Sequence, residues 1–120
     1  MKAQDVFNAI DQLKPNDFNR SEKRGWLKQL EQMILREIII PHGGTVEDVE
    51  LEDFGDETEL LAPPPYDNIY ELWLEAQIDR QYSEIAKYNN SITAFNAAYQ
   101  AFSNWYNRTH MPLGEAVKYW

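Results

Sequence analysis

The chain has 120 residues, enough for a single domain spanning 1–120; a domain of this size can bury roughly two thirds of its unfolded surface without a disulfide or metal staple. It contains no cysteine, which excludes disulfides, thiolate catalysis and cysteine-ligated zinc. A net charge of −9 disfavours nonspecific binding along duplex DNA or anionic lipid, and 4 Trp, 7 Tyr and 5 Phe argue for a packed core.

The first element in chain order is a short helix over 3–14. Ala3, Val6, Phe7, Ile10 and Leu13 recur at three- and four-residue steps and share a face. Pro15 ends it, and Asn16-Asp17 suits a turn. A second helix is expected from Ser21, as N-cap, to Ile39. Its apolar stripe is Trp26, Leu27, Leu30, Met33, Ile34 and Ile38, with Lys28, Glu31, Gln32 and Arg36 facing water. Gly25 lies within its first turns and weakens the helix there. Pro41 and Gly43-Gly44 stop it.

Residues 43–66 form an extended acidic arm. They hold eight of the 20 acids and no Lys or Arg, whereas the other 12 acids nearly balance 11 bases. Val49 and Leu51 alternate with Glu50 and Glu52, as in a half-exposed strand, and Gly55-Asp56 could turn the chain back as a small β-hairpin. A long acidic surface loop is the other reading of the same pattern. Pro63-Pro64-Pro65 adds a stiff extended stretch.

A third helix starts after Asp67, a candidate N-cap, and runs over 68–86. Its apolar residues cover more than one face, which marks it as the central helix. Asn89-Asn90 reads as a break, with Ser91 capping a fourth helix from Ile92 to Arg108. Ile92, Phe95, Tyr99, Phe102 and Tyr106 form its core stripe, and Ala94, Ala97, Ala98 and Ala101 allow a neighbour to approach closely. Residues 113–120 form a C-terminal tail. The fold class is therefore mostly α: a bundle of three to four helices, with the arm between helices two and three. The longest apolar run, Ile38-Ile39-Ile40, is far short of a signal-peptide core or a membrane span, so the chain reads as cytoplasmic in origin.

Catalytic and metal-binding patterns do not assemble. Asp53-Phe54-Gly55 matches a kinase triplet without the loops that would give it meaning. The acidic arm lacks the Asp-x-Asp-x-Asp-Gly order of a calcium loop. His42 and His110 have no helical partner at four-residue spacing. No catalytic residue, metal ligand or cofactor is expected, and no nucleic-acid or membrane contact. Partner proteins are expected instead.

Several strings carry a family likeness. Glu59-Leu60-Leu61 leads into Pro64-Pro65-Tyr66-Asp67; then come Leu74-Glu75-Ala76-Gln77-Ile78-Asp79, Tyr88-Asn89-Asn90-Ser91, Phe95-Asn96 and Asn107-Arg108-Thr109-His110-Met111-Pro112. Together they resemble a family of small prophage proteins of Gram-positive bacteria, associated with head–tail connector, or head-completion, proteins. The resemblance is clearest over 59–112. It implies a non-enzymatic virion protein that docks on the portal and assembles as a ring, made in the host cytoplasm and ending in the virion neck. Its partners would be the portal, neighbouring connector subunits and a tail-completion protein. The partner-binding candidates are Val49, Leu51, Leu60 and Leu61, which could pair with an edge on a neighbouring subunit, and Tyr119 and Trp120, which could anchor in a partner's pocket. A small acidic regulatory protein, an inhibitor or DNA mimic, is the alternative.

Overall fold

The computed structural model describes residues 2–14, 16–40 and 54–109. Four helices account for most of them: α1 (Ala3–Leu13), α2 (Arg20–Ile34), α3 (Asn68–Gln81) and α4 (Ile85–Thr109). A five-residue π turn, Leu35–Ile39, continues α2. This is the expected small helical bundle, with no strand among the described residues.

Helix α1 buries Ala3, Val6, Phe7 and Ile10 completely, as their spacing requires. Leu13 departs from the expectation and is 62 % exposed, because the helix ends at it and Lys14 turns away into extended backbone. The first amides of α1 have no partner within the helix. Ala3 N–H donates to the Thr58 carbonyl and Gln4 N–H to that of Asp56, both at 3.0 Å. Lys2 and Glu59 form an antiparallel bridge beside them. The described end of the acidic arm therefore pairs with the start of α1, and the turn at Gly55–Thr58 closes on itself through Thr58 N–H to the Gly55 carbonyl; the Val49–Leu51 strand of the expected hairpin lies outside the described residues.

Asn19, not Ser21, caps α2, its side chain accepting from Glu22 N–H at 2.8 Å. The core side of α2 and its π turn is Leu27, Leu30, Ile34, Leu35, Ile38 and Ile39. Gln32 and Arg36 face water as expected, but Glu31 is only 1 % exposed. Asp67 makes no side-chain cap on α3, since its own backbone is already helical.

Helix α3 is buried on more than one side, through Ile69, Tyr70, Leu74 and Ile78 together with Ala76, Gln77 and Asp79. It packs on α1, on α2 and most extensively on α4. The turn into α4 comes at Tyr82–Glu84 and not at Asn89-Asn90. Glu84 N–H returns to the Asp79 carbonyl and Ser83 N–H to that of Arg80, the paired bonds of a Schellman cap, with Ser83 in the left-handed region at φ 58°. Asn89 and Asn90 ride on the exposed side of a continuous helix, where each costs only about 0.7 kcal/mol of propensity. Ser91 caps nothing; it is buried and donates to Asp79 Oδ2 at 2.8 Å.

That contact explains how a fully buried Asp79 is tolerated. Lys14 Nζ binds its other oxygen, so both sides of the carboxylate are met and α1 is tied to the α3–α4 turn.

Two stability predictions follow from this packing. Phe102 is 1 % exposed, and Phe102→Ala should lower unfolding free energy by about 3–5 kcal/mol; a melt indistinguishable from the parent would contradict its place in the core. Ser83→Gly should do the reverse, because glycine enters the left-handed region without a Cβ clash. The expected gain is about 0.5–1 kcal/mol, a rise of roughly 2–5 °C in Tm, and an unchanged or lower Tm would count against the cap.

Candidate functional site: a groove along helix α2

Phe18, Trp26, Met33 and Trp73 belong to the apolar set but are only partly buried. Trp26 and Met33 lie on the α2 stripe, yet α3 and α4 are not wide enough to cover them. Trp73 is held in place from both sides: its Nε1–H donates to the Trp26 carbonyl at 2.7 Å, and its ring lies 5.0 Å from that of Phe95. Phe18 leans edge-on against Trp26 at 5.3 Å and touches Tyr82 at 5.1 Å.

Two depressions follow. One, of about 470 Å³, is lined by Gln29, Gln32, Met33, Arg36, Glu37 and Trp73. The other, of about 410 Å³, is lined by Phe18, Ser21, Glu22, Gly25, Trp26, Gln29 and Gln81. Gln29 borders both, so the two adjoin along the outer side of α2 as a shallow groove, interrupted at Gln29, with Phe18, Trp26, Met33 and Trp73 among amides and charges. Tyr99 donates from its hydroxyl to Glu37 Oε1 at 2.9 Å; burial, then the hydrogen bond and charge of Glu37, hold its phenol well above the ordinary range. Gly25 lies in the groove, and a Cβ built on it would meet nothing within 4 Å. Among the described residues no packing requires a glycine there, although it weakens the helix by about 1 kcal/mol relative to Ala. Close approach of another chain would.

The arm residues named from sequence separate. Leu60 is 5 % exposed and sits in the chain's own core, so it is not available to a neighbour in this arrangement. Leu61 is half-buried; its N–H donates to Glu31 Oε2 at 3.0 Å, and that of Ala62 to the Tyr70 hydroxyl at 2.8 Å. These two amides are therefore already used, and an added strand could not pair with them. Val49, Leu51, Tyr119 and Trp120 lie outside the described residues, as do His42 and His110. Among the acids of the arm, Asp56 meets Arg24 Nη2 at 3.1 Å and Arg20 Nη1 at 3.8 Å, and Glu57 meets Lys2 at 3.1 Å. Arg20 in turn lies over the Phe7 ring. No cluster of three or more His or acidic side chains suited to a metal ion occurs among the described residues. No helix among them is long and apolar enough to cross a membrane.

The sequence did not reveal the groove, since Trp26 and Met33 read there as ordinary core positions. Gly25 was its one legible trace.

Glu31 anchors the segment that leads into α3. Tyr70 donates to its Oε1 at 2.6 Å, opposite the bond from Leu61. Burial pushes the carboxyl up to about 7, against the pull of these two hydrogen bonds. Burial, and then the Glu31 charge, also raises the Tyr70 phenol well above its ordinary value. Below the ordinary carboxyl value of 4.5, Glu31 is neutral in the folded and unfolded chain alike. As pH rises toward 7 the unfolded chain ionises first, so stability falls, by an amount on the order of 3 kcal/mol once both states are charged. Denaturant melts of the parent and Glu31→Gln between pH 5 and pH 8 should diverge, the parent alone losing this increment; parallel curves would refute the assignment.

No protein-family model, curated protein or solved structure matches this chain.

Proposed function

We propose that the chain is a non-enzymatic phage structural protein, a head–tail connector or adaptor that docks on the portal and assembles as a ring during virion morphogenesis. The observation that supports the protein-binding part is the groove along α2, with its aromatic floor and a glycine that no contact among the described residues explains. The virion part rests on the resemblance over residues 59–112, and places the protein in the host cytoplasm during assembly and in the virion neck afterwards. The partners are the portal, neighbouring subunits and a tail-completion protein. The groove suits an amphipathic helix from one of them, since a helix lays apolar anchors into such a floor while its flanks meet the polar rim. An acidic arm facing a DNA channel would repel the packaged phosphates and let them slide.

The alternative, an acidic regulatory protein that imitates DNA, needs unpaired acids at phosphate-like spacing. Among the described acids of the arm, Asp56 and Glu57 are paired with Arg20, Arg24 and Lys2 of the same chain and are not free to imitate phosphates.

The test is complementation. Heads from a phage lacking this protein are mixed with purified protein and tails, and infectious particles are counted. The parent should restore infectivity. Gly25→Arg should melt no lower than the parent, because arginine is the better helix former and its Cβ has open space, yet give at least about tenfold fewer particles, as expected for loss of 1.4 kcal/mol or more of docking energy. Full activity of Gly25→Arg would remove the groove from the mechanism, and failure of the parent to restore infectivity would remove the connector reading.

A further inference from the structure

Residues 54–62 cross the bundle between the acidic arm and α3 without a helix or strand of their own. They are tied to the helices at two places. At the first, Ala3 and Gln4 N–H of α1 donate to the carbonyls of Thr58 and Asp56. There the Asp56 carboxylate also meets Arg20 and Arg24, and Glu57 meets Lys2. At the second, Leu61 N–H donates to Glu31 of α2 and Ala62 N–H to the Tyr70 hydroxyl of α3.

The two places differ in kind. The Arg24–Asp56 pair is more than a third exposed on both sides, where an ion pair contributes little. Arg24 reaches Asp56 through one Nη. Its Nε–H is buried and has no hydrogen-bond partner among the described residues, so the two-point fork that arginine can offer a carboxylate is not made. The second place is buried and interdependent. Tyr70 accepts from Ala62 and donates to Glu31, which accepts from Leu61, so the loss of one member leaves the others unsatisfied inside the protein.

The helices do not hold together through this segment. Helix α3 packs directly on α1, α2 and α4. Within 54–62 only Leu60 and Ala62 are buried, with Phe54 and Leu61 partly so. A segment with few buried apolar groups and mainly polar ties opens at a lower free energy than the core it lies on.

We propose that residues 54–62 are a strap that opens as one unit over a bundle that stays folded. Opening frees the first amides of α1 and the cations Lys2, Arg20 and Arg24 at one end. At the other it bares the core positions that Leu60 and Ala62 fill. The strap runs without a break into the acidic arm, so a partner that engages the arm loads the strap before it loads the helices. The device goes beyond the connector reading and does not depend on it.

Native-state hydrogen exchange, read by NMR on the purified full chain at a single pH, tests it. The amides of Ala3, Gln4, Leu61 and Ala62 should exchange through one shared opening, faster than those of Leu74 and Phe102 in the core. Tyr70→Phe removes the acceptor of Ala62 N–H and should speed exchange at Ala62 about tenfold or more relative to the core amides. Ala3 and Gln4, whose own bonds are to Thr58 and Asp56, should speed up by the same factor. Asp56→Asn acts from the other end, at a partly exposed site that leaves folding intact. It should speed exchange about two- to fivefold at Ala3 and Gln4, and equally at Leu61 and Ala62. Strap amides that exchange as slowly as the core overturn the proposal. So do effects confined to the end that carries the substitution, since the segment would then fray piecemeal. Neither result bears on complementation, so failure of the strap and failure of the connector reading are separable.

Discussion

A buried carboxyl group organises the middle of this protein. Glu31 lies on a core-facing turn of α2 and binds Tyr70 of α3 and the backbone of Leu61 at the same time. Tyr70 then accepts from Ala62 N–H, so one acid and one phenol satisfy two consecutive main-chain amides. Leu60 and Ala62 are thereby held in the core, and the chain enters α3 in a fixed register. An apolar residue in place of Glu31 would fill the space but leave a hydroxyl and an amide without their partner, a cost of about 1–3 kcal/mol for each group. The burial that raises the Glu31 carboxyl is offset by the order it imposes on a segment that has no helix or sheet of its own to satisfy its amides.

A second buried acid works in the same way at the other end. Asp79 joins Lys14 after α1 to Ser91 within α4, across the α3–α4 turn. Helix α3 has little amphipathic character because it is enclosed on more than one side, and its buried Tyr70 and Asp79 bond to Glu31, Lys14 and Ser91 inside the protein. The N-terminal amides of α1 complete the frame by drawing in the carbonyls of Asp56 and Thr58. The acidic arm is therefore anchored where it returns to the bundle, with part of its charge cancelled by Lys2, Arg20 and Arg24.

Among the described residues this frame leaves Phe18, Trp26, Met33 and Trp73 only partly covered. The α2 groove is apolar at its floor and polar at its rim, the pattern of a surface that receives a helix.

Much of this was determined by the sequence. The spacing of Val6, Phe7 and Ile10, of Leu27, Leu30 and Ile34, and of Phe95 and Phe102 marked the core faces, because helical periodicity is a local property that burial only confirms. The many-sided pattern of α3 likewise marked it as central. What the tertiary structure decided concerns polar groups. Glu31 reads as a solvated residue, Ser91 as a cap and Leu60-Leu61 as a free strand, since nothing local says that Tyr70, Asp79 and the Glu31 carboxyl wait for them 12 to 39 residues away. A buried hydrogen bond depends on which distant group supplies the other half, and a groove depends on which apolar residues the neighbouring helices fail to cover. Those are properties of the packed chain, and no window of sequence contains them.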